Sequence, residues 1–150
     1  MDSQSLNILK LLQQDATLTV DEISERIGLS RSPVWTRIRD MEAAGVITAK
    51  VALVDPKKLG YGLTVYVTVT TQRHDAEWLE QFSALVVKIP EVVSFYRMAG
   101  ELDYLIKLLV RDVSDYDRIY KKLIALPGLN TVSAHFAMES IKNTTVVPID

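Results

Sequence analysis

The residues with the clearest chemical potential lie between positions 31 and 39, where arginines and hydroxyl side chains recur at helical spacing. At about 100° per residue, Val34, Ile38 and Met41 fall on one side of a helix. The other side and its flanks carry Arg31, Ser32, Trp35, Thr36, Arg37 and Arg39. Guanidinium groups bind phosphate or read guanine, and a helix N-terminus favours anions. The pattern favours a DNA-facing surface, although the solvated face of an ordinary amphipathic helix has the same residue types.

A second candidate site is a short acidic loop between two β-rich stretches. It consists of Met98, Ala99, Gly100, Glu101, Leu102 and Asp103. Its carboxylates suit a ligand's amino group, and backbone N–H groups beside a residue without Cβ suit a carboxylate. An ordinary polar hairpin loop would have the same composition. Thr131, Ser133 and His135 alternate along the last strand, so they share a face toward a ligand, another subunit or solvent.

The sequence gives little support for catalysis or metal binding. His74 and His135 are far apart, and neither belongs to a metal-ligand spacing. There are no cysteines, which excludes thiol catalysis and thiolate metal sites. The chain also lacks a glycine-rich phosphate loop, a nucleophile elbow and a recognisable carboxylate pair. We therefore expect a protein that is not an enzyme and that holds no metal or cofactor.

The totals are those of a folded protein with one medium domain or two small ones. Of 150 residues, 48% are hydrophobic and 24% charged. No apolar run approaches the roughly eighteen residues of a membrane span, and the first residues do not resemble a signal peptide. These features favour a cytoplasmic protein. The net charge is −2, so binding of nucleic acid must depend on where the charges lie.

The elements that must position the arginines form a predicted helix-turn-helix. Apolar spacing predicts a first helix from Ser5, as N-cap, to Gln14. Thr19 and Glu22 have the spacing of a capping box that opens a second helix. Gly28 ends that helix, and a third runs to about Ala44. Two short helices around a tight glycine turn, followed by a longer one, are typical of DNA-binding units.

The remainder predicts a wing or hinge strand at 46–54, a linker at 55–62 and a second domain at 63–150. Strands are predicted at 63–71, 92–99, 104–110 and 131–138, with helices at 75–88 and 113–126. The order β-α-β-β-α-β is that of a ferredoxin-like domain. The predicted fold class is α+β, with residues 1–54 as a winged helix-turn-helix and the second domain as the ferredoxin-like unit.

Short segments along nearly the whole chain resemble the Lrp/AsnC (feast/famine) family of transcription regulators. In the first domain they lie at 8–13, 23–30, 34–38 and 42–47. In the second they include Pro90-Glu91-Val92, the stretch 99–105, Leu126-Pro127-Gly128-Leu129 and the closing 139–145. Each segment is weak alone, and their order and spacing make the resemblance strong.

The resemblance implies a winged helix-turn-helix followed by a ligand-binding and assembly domain, sometimes called RAM. Members dimerise through the second domain, and dimers form tetramers or octameric rings. They bind amino acids or related metabolites where dimers meet, in clefts that use the loop matching Met98–Asp103 and strand residues matching Thr131 and Ser133. The family's recognition helix matches Ser30–Ala44, and the segment 136–142 looks closest to a branch that responds to cysteine.

The leading hypothesis is therefore a sequence-specific regulator of transcription that binds double-stranded DNA and responds to an amino acid. One alternative is a DNA-organising protein that wraps DNA with little sequence preference. Another is an enzyme or enzyme subunit whose second domain senses a metabolite. Competition with unrelated DNA separates the first two, since specific sites bind roughly a thousand-fold or more tighter. Turnover without DNA affinity would identify the third.

Overall fold

A computed structural model describes residues 1–150. The chain divides into two compact units, Met1–Leu53 with Lys142–Asp150, and Val54–Ile141. The first contains α1 (Ser3–Gln14), α2 (Val20–Ile27) and α3 (Arg31–Ala43). The second contains a 3-10 helix (Pro56–Leu59), β1 (Leu63–Thr71), α4 (Ala76–Val86), β2 (Val92–Arg97), β3 (Tyr104–Val110), α5 (Val113–Leu123) and β4 (Leu129–Phe136). None of these helices combines the length and apolar character needed to cross a membrane.

The first unit is built on three short helices around a small apolar core. Its buried side chains are Ile8, Leu9, Leu12, Ile23, Val34, Ile38 and Met41. The capping box is confirmed: the Thr19 hydroxyl accepts from the Glu22 N–H, and the Glu22 carboxylate accepts from the Thr19 N–H. Gly28 ends α2 with φ of 69°, a left-handed conformation that favours glycine. The helix-turn-helix prediction is thus confirmed.

The N-cap of α1 differs from the prediction. The helix begins at Ser3, and Asp2 caps it by accepting a hydrogen bond from the Ser5 N–H at 2.8 Å. Ser5 itself is buried inside the first turn, so its assignment as the cap is wrong. Asp2 offers a charged acceptor to the free N–H groups of the first turn, so the helix begins at Ser3 instead of after Ser5.

The predicted wing or hinge strand at 46–54 does not form in this chain. The N–H groups of Val46 and Ile47 both donate to the Met41 carbonyl, which closes the end of α3. Beyond them Val51 and Leu53 are exposed, and no ladder pairs the segment. A strand requires a neighbour for its backbone groups, and the apolar, β-branched residues here have none within the chain.

The second unit is an antiparallel four-stranded sheet in the order β2-β3-β1-β4. One sheet face packs against α4 and α5, through buried residues that include Val67, Ile106 and Leu123. Trp78 and Phe82 of α4 stack with ring centroids 5.0 Å apart at the centre of this core. The element order and the α+β class are those predicted, and the strand and helix ends differ by a few residues.

The other face of the sheet has no helix of its own unit against it. Along β1, Val65, Val67 and Val69 are fully buried, whereas the alternating positions 66, 68 and 70 are at least partly exposed. On β4 the polar residues at 131, 133 and 135 are likewise exposed, as the alternation predicted. This outer face is polar with aromatic and aliphatic residues at intervals.

The last nine residues belong to the first unit, although the sequence had placed them with the second domain. Ile149 packs against the core formed by the three helices. The side-chain amide of Gln13 donates to the Val147 carbonyl at 3.1 Å and accepts from the Val147 N–H at 2.6 Å. The chain therefore passes between the units twice, once after Leu53 and once after Ile141.

Candidate nucleic-acid interface and ligand loop

The face of α3 opposite its buried residues is a continuous polar surface with one large aromatic. Five of the six predicted contact residues are exposed: Arg31, Ser32, Trp35, Thr36 and Arg39. Ser30 is the N-cap of the helix and makes no side-chain capping bond, so the N–H groups of the first turn have no side-chain acceptor. Donors, hydroxyls and a guanidinium thus lie on one accessible face, a set suited to phosphate and base edges.

Arg39 and Trp35 form the best-defined feature of this face. The Arg39 guanidinium carbon lies 4.8 Å from the centroid of the Trp35 ring, one turn earlier on the helix. Trp35 is 51% exposed, an unusual position for a tryptophan. No carboxylate lies within salt-bridge distance of Arg39. The stack holds the guanidinium against an aromatic plane and leaves its charge uncompensated.

Arg31 is differently placed, at the start of the same helix. Its Nε lies 2.5 Å from a carboxylate oxygen of Asp21, on the neighbouring α2. Both side chains are more than half exposed, so water screens the pair and its net contribution to stability is small.

Arg37 points away from the exposed face and toward α1. One of its terminal nitrogens donates to the Asp2 carboxylate at 2.9 Å and to the Gln4 side-chain oxygen at 2.9 Å. Its side chain is only 27% exposed, and its Nε is buried without a partner. The pKa of Asp2 is lowered, mainly by the Ser5 N–H and further by Arg37. A contact between Arg37 and DNA stays a prediction, whereas its contact with α1 is evident.

The loop between β2 and β3 is closed by backbone hydrogen bonds at its base. The Met98 N–H donates to the Asp103 carbonyl at 2.8 Å, and the Asp103 N–H donates to the Val69 carbonyl at 3.0 Å. Gly100 has φ of 115°, which permits the tight path of the loop. Residues 98–101 are exposed, and the N–H groups of residues 99–102 make no hydrogen bond within the chain. These N–H groups are free donors.

The two carboxylates of the loop have different surroundings. One Asp103 oxygen accepts from the Thr71 N–H at 2.7 Å, and the other lies 3.9 Å from the His74 Nδ1. Asp103 therefore fastens the loop to the end of β1. Glu101 is exposed and has no hydrogen-bond or ion-pair partner. Of the two, Glu101 is the carboxylate that is free to meet a ligand's cation.

The predicted strand residues lie at the same end of the sheet as this loop. Thr131 is opposite Thr70, and their hydroxyl oxygens are 2.6 Å apart. Thr70 precedes Thr71, whose N–H binds Asp103. Ser133 is one step further along β4, opposite Thr68. No group of three or more carboxylates and histidines is arranged to hold a metal ion.

A helix-turn-helix that presents an uncompensated arginine, joined to a sheet unit with a donor-rich loop, defines a DNA-binding transcription regulator with a separate ligand-binding domain. Comparison with known families agrees with this class. Residues 1–48 match the model of winged helix-turn-helix DNA-binding domains, and residues 64–147 match that of the Lrp/AsnC ligand binding domain. The chain belongs to the Lrp/AsnC family.

Named relatives span nearly the whole chain. The glutamate uptake regulatory protein of Zymomonas mobilis is 48% identical over 149 residues, which cover 99% of this chain and 91% of the relative. An AsnC family transcriptional regulator from Agrobacterium tumefaciens has a TM-score of 0.94 and 47% identity, with 99% and 97% of the chains covered. A Neisseria meningitidis regulator, solved as a complex with L-Met, has a TM-score of 0.93 and 33% identity, with 99% and 96% covered. These relatives are named as regulators, not as enzymes.

Proposed function

We propose that this protein reads specific DNA sequences through the exposed face of α3 and that an amino acid bound at residues 98–103 changes its affinity for DNA. The observation that carries the first half is the Arg39 guanidinium, stacked on Trp35 without a carboxylate partner. The second half is supported by the free donors of the loop, by the unpartnered Glu101, and by the L-Met complex of the Neisseria relative.

The distribution of charge within the first unit supports a localised DNA contact. Residues 1–50 contain six Lys and Arg against seven Asp and Glu, so the unit has no overall positive field. Three of the six cations, at positions 31, 37 and 50, are paired with carboxylates. Arg39 lies unpaired at the centre of the exposed face. Attraction to phosphate is therefore weak overall, and affinity must come from a few well-placed contacts.

The DNA proposal is tested on a duplex that the wild-type protein selects from a random library. Arg39→Ala is expected to weaken binding by about 1–3 kcal/mol, or roughly 5- to 150-fold in Kd. Trp35→Ala should have a smaller effect, and almost none in the Arg39→Ala background, because the ring acts through the guanidinium. Arg111, which lies over Tyr61 in the second unit, provides a matched stacked arginine, and Arg111→Ala should leave binding unchanged.

Two results of that experiment would contradict the proposal. Full affinity in Arg39→Ala would remove α3 as the reading helix. Equal weakening on the selected duplex and on unrelated DNA, with a salt slope lower by about one, would make Arg39 a phosphate contact. Failure of unrelated DNA to compete separates a specific regulator from a DNA-organising protein.

The effector site offers complementary groups for the two charges of a free amino acid. Glu101 supplies a carboxylate for the ammonium group, and the N–H groups of residues 99–102 supply donors for the carboxylate. Thr131 and Ser133 present hydroxyls on the outer sheet face at the same end of the unit. We propose that these hydroxyls complete the site of a neighbouring subunit, in a cleft formed where subunits meet.

A thermal-shift screen of the common amino acids, including L-methionine, L-glutamate and L-cysteine, tests the effector proposal. A ligand at a hundred times its Kd stabilises by about 2.7 kcal/mol. Glu101→Gln is expected to lose most of this shift while the exposed control Glu80→Gln keeps it. Asp103→Ala should also abolish the ligand's influence on DNA binding, because the loop is released from Thr71, and should leave ligand-free DNA affinity within a few-fold. If both loop variants respond fully, the loop is only a turn.

Assembly is the remaining part of the proposal. The outer sheet face has no helix of its own unit against it, and such a face of an antiparallel sheet is either solvated or covered by a partner. We propose that a second copy covers it and that dimers associate into tetramers or octamers. Ligand binding between dimers would then change the spacing of the α3 helices and hence the affinity for DNA.

A further inference from the structure

The C-terminal segment, defined here as residues 144–150, contacts the first unit through two different kinds of interaction. The Gln13 side-chain amide makes a reciprocal pair of hydrogen bonds with the Val147 backbone, at 3.1 and 2.6 Å. Paired residues of antiparallel strands exchange two backbone hydrogen bonds in the same way. Here the Gln13 side-chain amide takes the place of one of the two backbones. Two residues later, the partly buried side chain of Ile149 packs against the core of the three helices.

Burial is selective among the apolar residues near the C-terminus, so general apolar collapse does not explain the contact. Ile149 is partly buried, whereas Ile141 is 91% exposed and Met138 is 97% exposed. A cleft lined by α1, by residues 46–53 and by this segment remains beside the contact, with a volume of about 690 Å³. The segment therefore closes one side of a groove along α1 that is otherwise open.

Helix α1 is held at both ends, and one of these ends leads directly to α3. At its N-terminus, Asp2 caps the helix through one carboxylate oxygen and binds Arg37 of α3 through the other. At its C-terminal end, Gln13 binds the C-terminal segment. Between these points Ile8 and Leu12 pack in the same core as Ile38 of α3. These contacts form a continuous path from the C-terminal segment through α1 to α3.

We propose that the C-terminal segment is a positioning element of the DNA-reading unit: its docking on Gln13 and into the core fixes α1, and through α1 the orientation of α3. The proposal rests on the proposed reading of DNA by α3. It gives the sheet unit a second covalent connection to the reading unit, because the chain runs from the end of β4 at Phe136 into the segment. Ile149 and Val147 act on DNA binding without touching DNA.

The test uses the full-length protein and two readouts, hydrogen exchange of the α1 and α3 amides and affinity for the selected duplex. Ile149→Asp should release the segment, accelerate α1 exchange about five-fold or more, and weaken DNA binding about ten-fold. The salt slope should stay unchanged, because no phosphate contact is lost. Ile149→Leu should restore both readouts, and Ile141→Asp, a matched change at an exposed isoleucine, should alter neither.

Gln13→Ala is the milder variant, which keeps the apolar anchor and should weaken DNA binding about three-fold. If Ile149→Asp loses its helical circular dichroism and is therefore unfolded, Gln13→Ala tests whether the segment positions α3. Faster α1 exchange with DNA affinity within two-fold of wild type would overturn the proposal, since the segment would then be docked without positioning α3. Unchanged exchange in both variants would also overturn it. If wild type selects no DNA, the proposed function fails, and α3 exchange still decides whether docking orders that helix.

Discussion

The hydrophobic cores of the two units differ in which residues enclose them. The core of the first unit lies among three short helices and is joined by Ile149 from the far end of the chain. The second has a large core with Trp78, Phe82 and Tyr104 at its centre, yet leaves a whole sheet face without cover. The first unit is therefore completed by the two ends of the chain, whereas the second keeps an open sheet face, which we propose that a second copy covers.

The strongest way to break this comparison is to damage the aromatic centre of the second core. Phe82 is fully buried between Trp78, Phe95 and Tyr104. We expect Phe82→Ala to lower the free energy of unfolding by about 3–5 kcal/mol, because the cavity left behind cannot collapse fully. Urea unfolding followed by Trp78 fluorescence in a Trp35→Phe background measures it. Phe136→Ala, at a phenylalanine that is 39% exposed, should cost much less.

The next effect concerns the uncovered sheet face. Thr68 lies near the middle of that face, beside Ser133 and His135. In a two-fold interface Thr68→Lys introduces the same charge twice, so association should weaken about 100-fold or more while the monomer stays folded. Analytical ultracentrifugation at micromolar concentration measures this, with Gln81→Lys on the exposed side of α4 as the control. A wild-type protein that is already monomeric would contradict the assembly proposal.

The smallest expected effect is a pH dependence of the first unit. The Thr19 N–H and hydroxyl lower the pKa of Glu22 below its usual value of 4.5. A lowered carboxyl pKa contributes stability above the unfolded value, and this is lost as the pH falls through the folded value. The melting temperature should therefore decline below about pH 4.5. Glu22→Gln should lessen the decline, because the amide still accepts the capping bond without titrating. Identical pH profiles for wild type and Glu22→Gln would show that the Glu22 carboxylate does not cause the decline.

The features that could be predicted from the sequence are those set by local patterns. Thr19 and Glu22 satisfy each other across three residues, and Gly28 is left-handed because its own helix ends there. The alternation along β1 follows from one buried sheet face. The face of α3 follows from helical periodicity in the same way. Each of these depends on neighbours within a few positions of the chain.

The features that could not be predicted depend on distant partners. The position of Arg37 in the sequence predicts a DNA contact. Its contact with Asp2 is seen only in the folded structure, which brings the two residues together. Residues 46–54 have strand-forming composition, but a strand needs a ladder that this chain does not supply. Ile149 follows a proline near the end of the chain, where no local pattern indicates a core residue. The capping role of Asp2 could have been predicted, because Asp2 has N-cap spacing to the Ser5 N–H. The prediction of Ser5 as the N-cap was wrong.

The return of the C-terminal segment to the first unit affects how the domains of this protein can be exchanged with those of another regulator. A hybrid that takes residues 1–53 from one regulator and the remainder from another joins a helical core to a foreign final segment. In the hybrid, Gln13 and the apolar core of the first unit contact a final segment that belongs to a different first unit. A transferable DNA-reading module consists of both ends of the chain, residues 1–53 and 142–150, so grafting it requires two junctions. A fusion partner placed after Asp150 is likewise attached to this module.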